Sequence, residues 1–308
     1  MIQWKYCFIL IIVTQSDADD QTTSLDNRWL EVTHHPTWDK LDAFDCGDSA
    51  ADRIIGGVNA ALGQFPWIAR LGYTLSDEDD LDWLCGGVLV SDQHVITAAH
   101  CLLSADDGYE LSSVRLGEHN TETNPDCQIN VCAPPVQDRK VKSIKNHPLF
   151  NKPAFHNDIA IIELESPVEL NDYVAPICLL RNREQVADLQ IGELVTVAGW
   201  GKMNMTTDQR ANILQVVILP IVSPDMCSNF GAQFKVSHSE ICAGAQHNKD
   251  ACGGDSGGPL MKVYDTPDGP KHFLVGVVSF GPSVCGIKKP GVYSSVAFFL
   301  KWILDNLY

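Results

Sequence analysis

Asp250-Ala251-Cys252-Gly253-Gly254-Asp255-Ser256-Gly257-Gly258-Pro259 sets one serine among four glycines, directly after an aspartate. Glycine reaches backbone conformations closed to other residues and lets a substrate approach backbone N–H groups. Such a loop presents Ser256 as a nucleophile. The N–H groups of Gly254 and Ser256 then stabilise the oxyanion formed when the serine attacks a carbonyl. A serine hydroxyl requires a base, and the base requires an orienting carboxylate. Thr97-Ala98-Ala99-His100-Cys101 supplies a histidine after a strand-like run, and His156-Asn157-Asp158-Ile159-Ala160-Ile161-Ile162 supplies an aspartate at the head of another. Taken singly, these features read as a turn, a core histidine and a cap. Taken together, in the order His100, Asp158, Ser256, they read as one catalytic site.

The three motifs, with recognisable flanks from Arg53 to the C-terminus, resemble the chymotrypsin family of serine proteases. The resemblance implies an all-β fold: two six-stranded antiparallel β-barrels and a C-terminal α-helix, with the active site between the barrels. It places the base and the aspartate on the first barrel and the nucleophile on the second. The residue six before the nucleophile, Asp250, becomes the floor of a pocket for Arg or Lys. Gly281 and Gly291 become the walls of that pocket, and Ser279 braces Asp158. Phe280 stands where a tryptophan is more usual, and Gly253 where a longer polar residue is. Arg53-Ile54-Ile55-Gly56-Gly57 resembles the family's activation junction. Cleavage after Arg53 would create an ammonium at Ile54, and in the family that ammonium pairs with the aspartate before the serine, here Asp255. A buried carboxylate needs such a partner. No cofactor is expected for catalysis.

Of the 11 cysteines, Cys7 falls in an N-terminal apolar stretch and ten remain. An even number in a secreted chain implies disulfides, whose connectivity the sequence leaves open. The resemblance implies Cys85–Cys101, Cys227–Cys242, Cys252–Cys285 and Cys46–Cys178, with Cys127–Cys132 left over as a small fifth loop.

A narrower resemblance lies in Arg115-Leu116-Gly117-Glu118-His119-Asn120, Asn124-Pro125-Asp126-Cys127 and Cys132-Ala133-Pro134-Pro135. These look like the catalytic domains of arthropod easter-like, clip-domain proteases of extracellular zymogen cascades in immunity and development. A clip domain needs six more upstream cysteines, and only Cys46 is present, so none is expected. The same loop carries Glu118, Asn120, Thr123 and Asp126, and the resemblance implies a structural Ca²⁺ on their oxygens.

Composition sets the frame. The chain has 308 residues, 45% hydrophobic, enough for one large β domain or two small ones. A net charge of −17 argues against nucleic-acid binding and against docking on anionic lipid. Lys5 and Tyr6–Val13 read as a secretory signal over residues 1–16, too short to span a membrane. Residues 17–53 read as an extended pro-segment and residues 54–308 as the protease domain of a secreted, extracellular protein. Short β-type runs at 87–90, 94–97, 159–162, 194–197, 214–218 and 273–278 suggest a sandwich or barrel. The C-terminal run from Val296 reads as a helix, with Phe299, Ile303 and Leu307 at four-residue spacing. Asn204-Met205-Thr206 is a glycosylation sequon, and the acidic run Ser76–Asp82 reads as a solvated loop.

The expected partners are protein substrates with Arg or Lys at the cleavage site, an upstream activating protease and a serpin-type inhibitor. The leading expectation is a secreted zymogen of an arginine-preferring endopeptidase that activates other proteins by limited cleavage. A digestive or venom trypsin-like enzyme and a non-catalytic homologue acting as a binding cofactor are the alternatives.

Overall fold

The computed structural model describes residues 29–50, 58–75, 81–102, 108–202, 210–228, 234–245, 255–281 and 289–308. Sixteen strands are labelled in chain order: β1 (Val58–Asn59), β2 (Ile68–Leu75), β3 (Leu81–Leu89), β4 (His94–Thr97), β5 (Tyr109–Leu116), β6 (Cys127–Gln128), β7 (Val131–Cys132), β8 (Gln137–Asn146), β9 (Ala160–Leu164), β10 (Cys178–Leu179), β11 (Leu194–Gly199), β12 (Gln215–Pro220), β13 (Glu240–Gly244), β14 (Pro259–Thr266), β15 (Gly269–Phe280) and β16 (Pro290–Ser295).

β-Branched side chains pack well on a pleated, buried surface, and β4 and β9, rich in Val, Ile and Thr, are buried along nearly their whole length. They belong to a closed six-stranded barrel of order β2-β3-β4-β9-β8-β5. The second sheet runs β1-β12-β11-β14-β15-β16-β13, with β10 added in parallel to β15. Its strands β12 to β13 curl until their ends meet, through an Ile221–Ala243 bridge and a bond from Val222 N to Cys242 O. The first barrel is therefore closed by ladders, and the second by one bridge. One continuous apolar core fills both, and Trp67 of the first reaches Met261 Sδ of the second at 3.0 Å.

The C-terminal helix spans Val296–Asn306, with Ser295 Oγ accepting from Phe298 N at its start. Phe299, Ile303 and Leu307 are all buried, so its apolar face is core. No helix among the described residues is long and apolar enough to cross a membrane.

The described part of the upstream segment departs from the extended reading. Residues 29–33 and Trp38–Leu41 are helical. Val32 and Trp38 are buried, and the Trp38 indole donates to Val32 O at 2.7 Å. Thr37 Oγ1 donates to Leu304 O on the C-terminal helix at 3.0 Å. A few apolar anchors suffice here because a large domain surface provides the rest of the core; the segment has too few of them to show a period. Leu81 and Asp82 also depart from the loop reading, since they open β3; residues 76–80 lie outside the described residues.

Candidate active site

Strand register brings the base and the acid together. Thr97 at the end of β4 pairs with Ala160 at the start of β9. His100 follows the first within one turn of 3₁₀ helix, Ala99–Leu102, and Asp158 precedes the second. The Cys85–Cys101 disulfide pins that turn to β3. Asp158 Oδ1 accepts from His100 N at 2.9 Å, and Oδ2 accepts from the His100 ring Nδ1 at 2.7 Å. Ser279 Oγ donates to the same Oδ2, and Ser294 Oγ donates to Asp158 O at 2.6 Å.

Asp158 is 4% exposed, whereas the His100 side chain is 38% exposed. Burial alone would push the Asp158 carboxyl up. The hydrogen bond from the His100 ring, its charge and the Ser279 hydroxyl outweigh that and hold the group below the usual carboxylate range. An ionised carboxylate on Nδ1 keeps the ring proton there and leaves Nε2 as the acceptor. That is the tautomer a general base requires.

The serine turn is gripped from both barrels. Gly86 N on β3 donates to Ser256 O at 2.7 Å, and Gly257 N donates to Val278 O on β15 at 2.8 Å. Gly257 has φ +79°, and a methyl there would overlap Thr97 Oγ1 and Gly86 O. Glycine is needed at that position because the first barrel lies against its backbone. Thr97 Oγ1 in turn donates to Gly86 O at 2.8 Å. Ser256 itself is partly exposed at the head of β14.

Asp255, directly before the serine, is buried. Its Oδ1 accepts from Gly201 N at 2.8 Å, and a methyl on Gly199 or Gly201 would overlap its carboxylate. Gly199-Trp200-Gly201 is therefore a cradle shaped for this acid.

Gly281 faces Gly291 across the second sheet, a methyl on the first meeting Gly291 Cα at 3.8 Å. Asp250, Gly254, Arg53, Ile54 and Asn204 lie outside the described residues, as do Cys252 and Cys285. The other four disulfides are formed: Cys46–Cys178, Cys85–Cys101, Cys127–Cys132 and Cys227–Cys242.

Glu118, Asn120, Thr123 and Asp126 lie in one loop between β5 and β8. Glu118 and Asp126 are 8% and 2% exposed. Asp126 Oδ2 accepts from His119 N and Asn120 N at 2.8 and 2.9 Å, and Oδ1 accepts from Thr123 Oγ1. Burial, then the Asp126 charge, push the Glu118 carboxyl up, while Arg70 at 3.7 Å and Arg115 at 3.4 Å oppose this. Two buried carboxylates therefore share one loop, Asp126 engaged by two backbone N–H groups and a hydroxyl, and Glu118 by His119 N and two guanidinium groups.

Gly86, Thr97, Gly199, Gly201 and Ser294 had no assigned role in the sequence reading. The Gly86-Gly87 and Gly199-Trp200-Gly201 patterns were visible there, but the acid and the turn they accommodate lie far away along the chain.

The trypsin family model matches residues 54–303. The chain is 40% identical to the CLIP domain-containing serine protease HP8 of Bombyx mori, covering 85% of this chain and 71% of that protein. It is 38% identical to the Spaetzle-processing enzyme of Drosophila melanogaster, covering 97% and 82%. The crystal structure of the Drosophila Grass clip serine protease of the Toll pathway aligns with a TM-score of 0.74 at 30% identity, covering 91% of this chain and 77% of that one.

Proposed function

The chain belongs to the trypsin family of serine proteases and is a serine endopeptidase, and from that premise we propose a secreted zymogen that, once cut, activates other proteins by limited cleavage after arginine or lysine. The observation that carries the catalytic part is the buried Asp158 holding the His100 ring through Nδ1 at 2.7 Å, with the Ser256 turn locked to the same barrel through Gly86. In this reading His100 Nε2 takes the proton of Ser256 as the hydroxyl attacks the scissile carbonyl. Ser256 N and Gly254 N bind the oxyanion, and the imidazolium, stabilised by Asp158, returns its proton to the leaving amine.

Asp250 six residues before the nucleophile, together with small walls at Gly281 and Gly291, supports a preference for a long basic side chain. A carboxylate there stabilises the charge that an apolar pocket would leave unpaired. The Arg53-Ile54 junction, and the glycine cradle that holds the buried Asp255 against Gly201 N, support activation by one cut. A protein substrate within a cascade is supported by relatives such as the phenoloxidase-activating enzyme 1 of Spodoptera litura, 39% identical over 89% of this chain. We also propose that a structural Ca²⁺ is held by Glu118, Asp126, Asn120 and Thr123, with no part in hydrolysis.

The test is hydrolysis of a small arginine ester by protein cut after Arg53. The cut protein hydrolyses it, and Ser256→Ala loses activity by at least about 10⁴-fold. Asp250→Ser shifts the kcat/KM ratio of arginine over phenylalanine esters towards phenylalanine. A cut, folded protein that leaves the ester intact would instead mark a non-catalytic binding homologue.

A further inference from the structure

Gly199-Trp200-Gly201 surrounds the Asp255 carboxylate so closely that neither glycine has room for a methyl. Two glycines give such a stretch little stiffness of their own. Its position is set by Trp200, the one side chain between them, which is 6% exposed. The indole Nε1 donates to His119 O at 3.2 Å. His119 O also accepts from Leu214 N at 2.9 Å, so the acceptor is itself fixed.

The other support of the indole is a cation. Arg70 on β2 has a side chain 14% exposed. Its guanidinium lies over two rings, 5.0 Å from the centroid of Trp83 and 5.5 Å from that of Trp200. Trp83 belongs to β3 and Trp200 directly follows β11, so Arg70 joins the two barrels. Glu118 Oε2 is 3.7 Å from Arg70 Nη1, too far for a hydrogen bond, and the guanidinium makes none among the described residues. Burial pushes the guanidinium down to about 10; Glu118 opposes this, and the Arg115 and Arg210 charges add to it.

Burying a guanidinium without hydrogen bonds is costly. Attraction to two indole faces and one carboxylate offsets the cost here, so the placing of the rings depends on the charge. Arg70, Trp83, Gly199, Trp200 and Asp255 line one cavity, and a Trp200 ring without its cation has space to turn there. Gly201 N donates to Asp255 Oδ1 at 2.8 Å, and Asp255 directly precedes Ser256. A shift of Trp200 therefore reaches the serine turn through one hydrogen bond and one peptide bond.

We propose that Arg70 and Trp200 are positioning residues: the guanidinium between the two indoles holds the Gly199-Trp200-Gly201 cradle around Asp255, and so sets the fraction of cut protein whose serine turn is competent. The role rests on the protease and activation readings above, in which the Ile54 amine pairs with Asp255. Loss of either residue divides the cut chain between a competent form, with the amine buried on Asp255, and a form with the amine in solvent. Substrate binds the competent form, so a smaller competent fraction raises KM while kcat at saturation is kept.

The experiment uses protein cut after Arg53 and measures arginine-ester hydrolysis beside the rate at which cyanate modifies the Ile54 amine. Arg70→Met and Trp200→Leu each raise KM roughly 5-fold or more, the weight of a desolvated cation–π contact, with kcat nearly kept. Cyanate modifies the amine faster by a similar factor, and saturating benzamidine, an arginine mimic, slows it again. Arg70→Lys, which keeps a cation, retains most of the wild-type behaviour. Trp200→Phe, which keeps a ring face and loses the indole N–H, moves both readouts the same way by less. The double variant of Arg70→Met and Trp200→Leu does no more than Trp200→Leu alone, because the cation acts through the ring. Melting curves in a Ser256→Ala background identify a variant that fails to fold, and Trp200→Phe and Arg70→Lys then carry the same two readouts.

KM and cyanate rate unchanged in the folded variants, or kcat lowered with both unchanged, overturns the role and leaves Arg70 and Trp200 as packing alone. Wild-type protein that fails on the ester, or whose Ile54 amine reacts as fast as in denaturant, sinks the protease or activation reading instead, so the failures are told apart.

Discussion

At the scale of single residues, the arrangement around Asp158 concentrates four hydrogen bonds on one buried residue, three of them on its carboxylate, and Ser279 is the most informative donor to remove. Its hydroxyl shares Oδ2 with the His100 ring. Because the Asp158 carboxyl is held below its ordinary range, it contributes stability that is fully present above the unfolded-state value, about 3.9. That stability is lost as pH falls through the folded-state value. Ser279→Ala removes one lowering cause, so the folded value moves up and acid unfolding begins at a higher pH. Melting curves from pH 5 down to pH 2, taken in a Ser256→Ala background to prevent autolysis, report this; overlapping curves with and without Ser279 would show that the bond contributes nothing. In the active background, kcat on the ester falls by roughly 10-fold or more, as expected for a hydrogen bond to a charged group worth about 1.5–3 kcal/mol. His100, Asp158 and Ser256 stand in distinctive local motifs, whereas the role of Ser279 follows only from the family resemblance. The cradle of Asp255 could not be read from the sequence: Gly199 and Gly201 are shaped by an acid more than fifty positions away, and a glycine written in a sequence does not say what crowds it.

At the scale of elements, the strands that read clearly are those with an uninterrupted run of apolar and β-branched residues. β4 coincides with the apolar run 94–97, and β9 and β11 lie within two residues of theirs. β8 is different. It completes the first barrel between β5 and β9, yet its sequence, Gln137–Asn146, is mostly polar and none of its side chains is fully buried. Its contribution is backbone hydrogen bonding to two neighbours, which leaves no apolar period to read. The loop that feeds it carries Glu118 and Asp126, and here the calcium proposal makes its prediction. The two carboxylates repel each other, and Arg70 and Arg115 offset that only from the Glu118 side. A divalent cation between them would relieve the repulsion. Calcium is therefore expected to raise the melting temperature over that in chelator, and Glu118→Gln to reduce the difference. Identical unfolding curves under both conditions would remove the ion from the account.

At the scale of the whole molecule, the upstream segment is a structural part of the protease domain rather than an appendage. Cys46 is bonded to Cys178, 132 positions away. Trp38 is buried beneath the Arg181 guanidinium, 4.5 Å from its ring, and Arg181 also pairs with Asp42 at 2.7 Å. Gly47 N and O bond Pro176 O and His272 N, each at 2.9 Å. A cross-link of this kind contributes about 2–4 kcal/mol, and burying Trp38 and Val32 contributes about 1.5–3 kcal/mol each. The covalent and non-covalent attachments are therefore of similar weight. An extended tail would allow Trp38→Ala at no cost, whereas the packed segment predicts a loss of about 3–5 kcal/mol and a melting temperature lower by at least about 6 °C. The same packing decides what one cut after Arg53 leaves behind. Arg53→Gln should block the cut and keep the protein inactive. In the cut wild type, denaturing gels without reductant should show the segment still attached, and the same gels with reductant should release it. Under native conditions, reductant alone should leave the segment bound, because Trp38, Thr37 and Asp42 hold it without the disulfide; gel filtration of the reduced, cut protein measures that directly. Release in denaturant without reductant would break the Cys46–Cys178 tether, release by reductant in native buffer would show that the packing is too weak to matter, and full activity in uncut protein would end the zymogen proposal.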